Sequence, residues 1–264
     1  MCHGLHTRPN TGTDRPFVAS CNTKRPQFKI ASRIVKGKIR NQLNLMKFYA
    51  RSRKENTGFQ EGLTDMENQV ERLSDEAKQL PHDAEHNAIR DRLFSIEGRS
   101  AAAYWAMVKH LLAGDIEFAG RRRQGADDLV NSMLNYGYGI LYSRVWRAIA
   151  VAGLNPFLSF LHAPQKNKPT LSYDLIEEFR CQAVDRAVFT MITRGEELKI
   201  NNKTRLLTDK TKEKVIENVL ERLASIVPYK GSKITLTEVI RLQPRHLIEC
   251  LKKGKAYRPF IGRY

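Results

Sequence analysis

The sequence predicts an all-α protein built from several helices, with one small β-hairpin at most. Three observations favour this class. Apolar residues recur at three- and four-residue steps from Pro26 onward, which is the period of an amphipathic helix. Proline or glycine interrupts these stretches at intervals of helical length. One stretch is apolar on nearly all sides, which is typical of the central helix of a bundle.

Composition places limits on the class of protein. The chain has 264 residues, of which 41% are hydrophobic and 28% are charged. It contains no apolar run of about 18 residues and no apolar stretch of signal-peptide type at its start, so we expect a cytoplasmic protein without a membrane span. The four cysteines are scattered without a C-x-x-C pair and are interpreted as reduced thiols.

Residues 1–25 are rich in Pro, Thr, Asn and Arg and show no period, so we interpret them as an unstructured remnant or linker. The helical domain is expected over residues 26–264. Its first helix begins at Pro26 and is broken near Asn56. The face opposite its apolar stripe is basic and carries Lys29, Arg33, Lys36, Arg40 and Lys47.

A second, acidic helix is predicted from about Thr64 to Leu80, where Pro81 stops it. The third is predicted from Ala84 to Leu112, with Glu97 at the edge of its apolar stripe. A loop containing the run Arg121 to Arg123 follows. The next helix, from about Asp127 to Ala152, is the one that is apolar nearly all round. Its glycines, Gly137 and Gly139, would let a neighbour approach closely.

The turn after this helix presents His162. A fifth helix is predicted from Ser172, with Asp174, Glu177 and Glu178 on one face because they lie three and four positions apart. Residues 198–207 could form a hairpin around Asn201. Helices are then predicted over 211–227 and 236–253, and Pro244 should kink the last one or begin a new one.

Positive charge is concentrated at the two ends of the chain. The net charge is +11 over residues 1–60, −5 over 61–90, +1 over 91–198 and +10 over 199–264, which gives +17 in total. Basic ends around a balanced centre are what an enzyme acting on nucleic acid needs, because phosphate contacts supply affinity and a metal pocket supplies chemistry. The alternative is that the basic segments are solvated faces of an ordinary basic protein.

A glutamate, a histidine and an Asp-x-x-Glu step stand where apolar stretches end or turn polar, and together they form a plausible divalent-metal site. The candidates are Glu97, His162, Asp174 and Glu177. Their spacing is not a local metal signature, so the residues alone give a weak signal. Glu97 could instead pair with Arg92 or Arg99, and His162 could be a hydrogen-bonded structural residue.

Several segments, taken in order, resemble the CRISPR-associated spacer-acquisition endonuclease/integrase ("Cas one") family. The similarity runs from about residue 26 to the end of the chain. The segments are Ala31–Gln42 (ASRIVKGKIRNQ), Glu97–Arg99 with Ala102–Trp105, Arg121–Arg122, Asp128–Asn131 with Tyr138, Gly153–Pro156, Leu161–His162, and Asp174–Arg180 (DLIEEFR) with Val184–Asp185. Each is unspecific alone, whereas all of them in register are specific.

The resemblance implies a helical catalytic domain in which Glu97, His162 and Glu177 are catalytic and bind Mg²⁺ or Mn²⁺, with Asp174 as an adjacent acid in the metal set. It implies action on double-stranded or branched DNA: foreign fragments are inserted as spacers into a repeat array for antiviral defence. The candidate DNA-binding residues are Arg121, Arg122, Arg123, Arg180, Arg186, Lys36, Lys38 and Arg40.

Family members carry a β-rich domain before the basic helix, and only about 25 unpatterned residues precede that helix here. The N-terminal β domain is therefore expected to be largely missing. The family also implies a homodimer and a small CRISPR-associated partner protein. The alternatives are a related integrase of a mobile element and a non-catalytic DNA-binding remnant.

Overall fold

A computed structural model describes residues 24–79, 86–162 and 167–264. Within these ranges it contains eight α-helices, one π-helical turn and one two-stranded hairpin. The helices are α1 (Lys24–Ala50), α2 (Thr57–Lys78), α3 (His86–Leu112), α4 (Leu129–Val151), α5 (Thr170–Ile176), α6 (Arg186–Thr193), α7 (Asp209–Ala224) and α8 (Leu236–Lys253). The π-helical turn covers Cys181–Asp185, and the strands are β1 (Ile226–Tyr229) and β2 (Ser232–Thr235).

The predicted all-α class is confirmed, but the hairpin lies elsewhere in the chain. Strands β1 and β2 pair antiparallel, with Val227 opposite Ile234. Their two-residue turn, Lys230-Gly231, has positive φ at both positions, as a tight hairpin requires. The predicted hairpin over 198–207 has a single bridge, Ile200 to Leu207. The helix predicted over 211–227 accordingly ends earlier, at Ala224.

Helices α1, α2 and α3 form one packed layer of the fold. The apolar stripe of α1 is buried. Asn56 caps the N-terminus of α2, where its side chain accepts a hydrogen bond from the Phe59 N–H. Helix α2 begins at Thr57, seven residues before its predicted start at Thr64, and α3 begins at His86, two residues after its predicted start at Ala84. This layer brings the middle of α1, at Lys38, against the middle of α3, at Glu97.

Helix α4 packs against α5, α7, α8 and the π-helical turn, so it is central, as predicted. It is not buried on every side, because Trp146 is 47% exposed and Tyr136 is 37% exposed. Of the two glycines, only Gly137 is in close contact: a Cβ there would lie 2.6 Å from Val184 Cγ1, whereas a Cβ at Gly139 would meet nothing within 4 Å.

The predicted fifth helix is interrupted. Helix α5 ends at Ile176, a turn follows at 177–179, and the π-helical turn leads into α6. Asp174, Glu177 and Glu178 were predicted to share one face, and this is wrong because the turn breaks the helical period between them. Pro244, by contrast, lies inside a single helix, α8, which continues to Lys253.

Residues 255–264 pack against α1, and Tyr257 and Phe260 of this segment are part of the hydrophobic core. Asn41 donates to the carbonyl of Phe260 at 2.9 Å and accepts from the N–H of Gly262 at 2.8 Å. The same Asn41 amide donates to the carbonyl of Glu178 at 2.9 Å. Helix α1 comes so close to this segment that a Cβ at Gly37 would lie 2.6 Å from Pro259. The prediction for residues 1–25 lies, for residues 1–23, outside the described part of the chain.

Candidate active site

The centre of the candidate site is an ion pair shared by three residues from different elements. Lys38 Nζ on α1 lies 2.5 Å from Glu97 Oε1 on α3 and 2.9 Å from Glu177 Oε2, just after α5. All three side chains are buried, with 8%, 11% and 4% of their surface exposed. Because one oxygen of each glutamate contacts the same nitrogen, the structure brings Glu97 and Glu177 together around a single cationic position.

Glu177 has a second cationic partner. Its Oε1 lies 3.1 Å from Arg180, one turn later. Burial raises the pKa of Glu177, but the charges of Arg180 and Lys38 outweigh burial and lower it to about 2. Burial lowers the pKa of Lys38 as well, and the attraction of Glu177 and Glu97 outweighs it, so that pKa is raised. Glu177 and Lys38 are therefore both ionised at neutral pH.

Asp174 forms a hydrogen bond with the His162 ring and positions it, so the two residues have different roles in the site. Asp174 is fully buried, and its Oδ1 lies 2.6 Å from His162 Nδ1. The same carboxylate accepts the N–H groups of Phe160 at 2.6 Å and Leu161 at 3.1 Å, so it also fixes the turn. With Nδ1 donating to a carboxylate, the lone pair of the neutral imidazole is on Nε2.

The His162 ring contacts the helix that carries Glu97. It packs edge-on against Phe94, which lies one turn before Glu97 on α3, with ring centroids 5.8 Å apart. Burial lowers the pKa of His162, but the hydrogen bond and charge of Asp174 raise it more, and Glu177 and Glu97 raise it further, so the net shift is upward.

These donors suit a divalent metal ion chemically, because two carboxylates and an imidazole are ligands that Mn²⁺ and Mg²⁺ accept. One oxygen of the set, Glu177 Oε2, makes no hydrogen bond of acceptable geometry despite its ionic contact with Lys38. The set is nonetheless not closed: among the described residues no three His, Cys, Asp or Glu side chains already stand at metal-binding distances. Asp174, which we predicted in the metal set, is occupied by His162 and the turn.

A cleft opens beside Lys38 and Glu177, and its polar lining is mainly basic. It is lined by Lys38, Gln42, Ala101, Trp105, Arg121, Arg123, Tyr138, Glu177, Arg180, Cys181 and Asp185. Four of these residues carry positive charge, which suits a phosphate group. Three of the predicted DNA-binding arginines, Arg121, Arg123 and Arg180, therefore meet in one place next to the carboxylates.

Two of these arginines are positioned by α4. The guanidinium of Arg121 bonds to the side chains of Asn131, at 2.9 Å, and Asn135, at 2.6 Å. It also lies 5.3 Å from the ring centre of Tyr138, and Arg180 lies 4.8 Å from the same ring. The Tyr138 hydroxyl is anchored in turn, because it donates to buried Asp185 at 2.5 Å.

The remaining predicted DNA-binding residues lie outside this cleft. Arg122 is exposed and pairs with Asp127 at 3.4 Å. Arg186 lies over the rings of Phe48 and Tyr264, with its guanidinium carbon 4.4 Å and 5.0 Å from the ring centres. Lys36 is half-buried and Arg40 is exposed on α1.

Glu178, next to Glu177, faces the opposite way. It is fully buried and accepts hydrogen bonds from Tyr257 at 2.5 Å, Gln243 at 2.9 Å and the Phe260 N–H at 2.8 Å. Burial raises its pKa to about 7. Its carboxyl group thus anchors α8 and the C-terminal segment beneath the site.

Residues 4–221 match the family model described as CRISPR associated protein Cas1. The chain belongs to the Cas1 family. This confirms the resemblance drawn from the ordered segments.

The chain is 29% identical over 270 aligned positions to a CRISPR-associated endonuclease Cas1 of Archaeoglobus fulgidus, which covers 94% of this chain and 78% of that protein. It is 32% identical to a CRISPR-associated endonuclease Cas1 of Hyperthermus butylicus, over 88% of this chain and 67% of that one. The Cas1 relationship therefore extends over nearly all of the chain.

Solved structures support the Cas1-type fold. A casposase bound to integration product superposes with a TM-score of 0.75 at 23% identity, covering 94% of this chain and 70% of the other. A Cas1 protein from Thermotoga maritima gives 0.72 at 20% identity, covering 90% and 69%. In this part of the Cas1 fold, no described helix is long and apolar enough to span a membrane.

The sequence predicts Lys38 as a DNA-binding residue of the Cas1 domain and does not indicate that it pairs with the acids. The separation of 59 residues between Lys38 and Glu97 gives no local signal. Lys38 does break the pattern, because it lies between the apolar positions Val35 and Ile39 rather than on the exposed face. Nothing in the sequence connects Trp105 and Gln42, which also line the cleft, with such a site.

Proposed function

We propose that this chain is a metal-dependent DNA endonuclease and integrase of CRISPR adaptation, which inserts foreign DNA fragments into a repeat array in the cytoplasm. One observation carries the proposal: Glu97 and Glu177 converge on one cationic position, beside a histidine held by Asp174 and a basic cleft, in a member of the Cas1 family.

In this proposal, Glu97, Glu177 and Nε2 of His162 hold Mg²⁺ or Mn²⁺. The ion supplies Lewis-acid activation of an attacking hydroxyl and screens the charge that develops on phosphorus. Asp174 keeps His162 in the tautomer that has its lone pair on Nε2. Arg121, Arg123 and Arg180 bind the phosphates next to the scissile bond. Lys36, Arg40, Arg122 and Arg186 would then contact the DNA backbone further away.

The test uses a branched DNA with Mn²⁺, an EDTA control, and the variants Glu97→Ala and His162→Ala. Nicking and strand transfer should fall to background in EDTA, which removes the metal ion. They should also fall to background in both variants, because each variant loses a ligand of the ion. DNA affinity, measured by gel shift in EDTA so that no metal contributes, should differ from that of the unmodified chain by less than about threefold, because phosphate contacts of basic residues supply it.

His110→Ala is the matched control, because His110 is an exposed histidine in the last turn of α3, outside the site. It should cleave like the unmodified protein. Full activity in His162→Ala, or loss of DNA affinity in folded Glu97→Ala, would contradict the proposed division between metal ligands and phosphate contacts. DNA binding without turnover in the unmodified chain would favour the non-catalytic remnant.

The fold also favours a second candidate, because the casposase structure superposes as well as the Cas1 structure does. A mobile-element integrase would use the same metal site on a different substrate. Strand-transfer assays with two substrates distinguish the two candidate functions: one substrate is a CRISPR repeat, and the other carries DNA ends copied from the genome that flanks the gene. Preference for the repeat supports adaptation.

Partners follow from the same proposal. Two solved structures of Cas6-RT-Cas1–Cas2 complexes share this fold, with a TM-score of 0.74 at 18–19% identity. We infer that the chain acts with a small CRISPR-associated partner and as a homodimer. Sizing by light scattering, alone and with a Cas2 protein, tests both: a mass of two chains supports the homodimer, and a larger mass with Cas2 supports the partner.

A further inference from the structure

Lys38 occupies an unusual position for a lysine. Its ammonium is within 2.9 Å of two buried carboxylates that come from helix α3 and from the turn after α5. Lysine is almost never buried unless it is paired, so this placement requires the two acids. Conversely, the acids require a cation, because two carboxylates that share one buried position repel each other.

The two oxygens that touch Lys38 belong to the two residues that we propose as metal ligands. Mg²⁺ binds its oxygen ligands at about 2.0–2.1 Å. An ammonium at 2.5 and 2.9 Å from Glu97 Oε1 and Glu177 Oε2 blocks that approach and repels the ion. The ammonium and the metal ion therefore compete for the same pair of oxygens.

We propose that Lys38 is an internal counter-ion of Glu97 and Glu177, and that a divalent metal ion displaces it into the basic cleft. This inference rests on the proposed function, because it assumes that the acids bind a metal. The cleft is the direction of displacement, since Lys38 already lines it together with Gln42, Arg121, Arg123 and Arg180.

Displacement has a consequence for substrate binding. The lysine charge leaves the carboxylates, whose charge the metal now neutralises, and joins three arginines in the cleft. Arg180 stays on the other oxygen of Glu177, so that carboxylate keeps its orientation. Metal binding thus adds a positive charge at the place where we expect a phosphate, and the metal and the DNA should each strengthen binding of the other.

The first experiment measures Mn²⁺ affinity of Lys38→Met by electron paramagnetic resonance of the free ion. Removal of the competitor should tighten the apparent Kd by about tenfold or more, as for a site whose competent state is a minor population. Lys38→Arg, which keeps a cation, should bind no more tightly than the unmodified chain. Lys47→Met is the matched control, because Lys47 lies on α1 and pairs with Glu67 at the surface.

The second experiment uses the unmodified protein, so it does not depend on the folding of a variant. Lys38 is 6% exposed and should resist a short pulse of acetic anhydride. Saturating Mn²⁺ should raise its acetylation several-fold, measured by mass spectrometry, while Lys47 keeps its reactivity. This readout separates displacement from the electrostatic effect of simply deleting a charge.

Mn²⁺ binding with no rise in Lys38 acetylation would overturn displacement and leave the metal site intact. Mn²⁺ affinity of Lys38→Met equal to that of the unmodified chain would do the same. If neither protein binds Mn²⁺, the proposed metal-dependent function fails first and the counter-ion role fails with it. The two failures are therefore distinguishable.

Discussion

At the scale of single residues, the three acids between positions 174 and 178 lie in three different environments. Asp174 holds a histidine and a turn, Glu177 lies on Lys38 and Arg180, and Glu178 anchors the C-terminal segment. Their roles differ because the chain turns between them. A reading by sequence spacing alone gives all three the same face.

Asp174 provides a prediction at this scale. In Asp174→Asn, a neutral amide replaces the charged acceptor of the His162 Nδ1–H. The NH₂ of the amide can also donate to Nδ1, which competes with the original hydrogen bond. We expect Mn²⁺ affinity and strand transfer to fall by about 10- to 100-fold, which is typical when a residue that orients a metal ligand is changed. Titration with Mn²⁺ measures the first effect.

Asp91→Asn is the matched control for this change, because Asp91 is a 72% exposed aspartate on α3. It should leave both quantities unchanged. Unaltered Mn²⁺ binding in folded Asp174→Asn would show that His162 does not need its partner, and would remove His162 from the proposed ligand set.

At the scale of elements, α4 positions two of the arginines that line the cleft. The two glycines of α4 differ in what they contact. Gly137→Ala places a Cβ 2.6 Å from Val184 on the π-helical turn, so we expect the free energy of unfolding to fall by about 1–3 kcal/mol. Gly139→Ala meets nothing within 4 Å and should raise it by up to about 1 kcal/mol through helix propensity. Urea denaturation measures both.

The double variant Gly137→Ala with Val184→Ala separates a steric clash from a backbone effect. Trimming Val184 should recover part of the loss, so the two changes should be non-additive. Additive losses would mean that Gly137 is needed for a reason other than the approach of Val184.

Most elements could be predicted from the sequence because their signals are local. The helical period, the caps and the prolines located α1, α3, α4 and α8 to within a few residues. The hairpin could not be placed, because Ile226 and Val227 continue the apolar pattern of α7, and Pro228 ends a helix without indicating a strand. The π-helical turn has no sequence signal of its own.

The site was predictable only in part, for the same reason. The family resemblance picked out Glu97, His162 and Glu177, and the structure brings both glutamates onto one cation. The bonds that give each residue its role are long-range, such as Lys38 with Glu97 and Asn41 with Phe260. Spacing within one segment carries no information about such partners.

At the scale of the whole molecule, Asn41 joins α1, the turn after α5 and the C-terminal segment through three hydrogen bonds. Asn41→Ala leaves three buried backbone groups without partners, so we expect the free energy of unfolding to fall by about 2–4 kcal/mol. Thermal and urea unfolding measure this change.

Asn44→Ala is the comparison for this change, because Asn44 is half-buried and donates one bond, to the Gly262 carbonyl at 2.8 Å. It should cost about 1 kcal/mol. Equal losses in the two variants would mean that the C-terminal segment docks independently of Asn41.

The partners of Asn41 in the C-terminal segment lie 219 and 221 positions further along the chain. Proteins fold from their N-terminus while they are still being synthesised, at about 5–20 residues per second. The helix that carries Lys38 therefore leaves the ribosome many seconds before the segment that packs beneath it. The support of the candidate site is therefore completed only after residue 262 has been synthesised, and the site stays incomplete until that point.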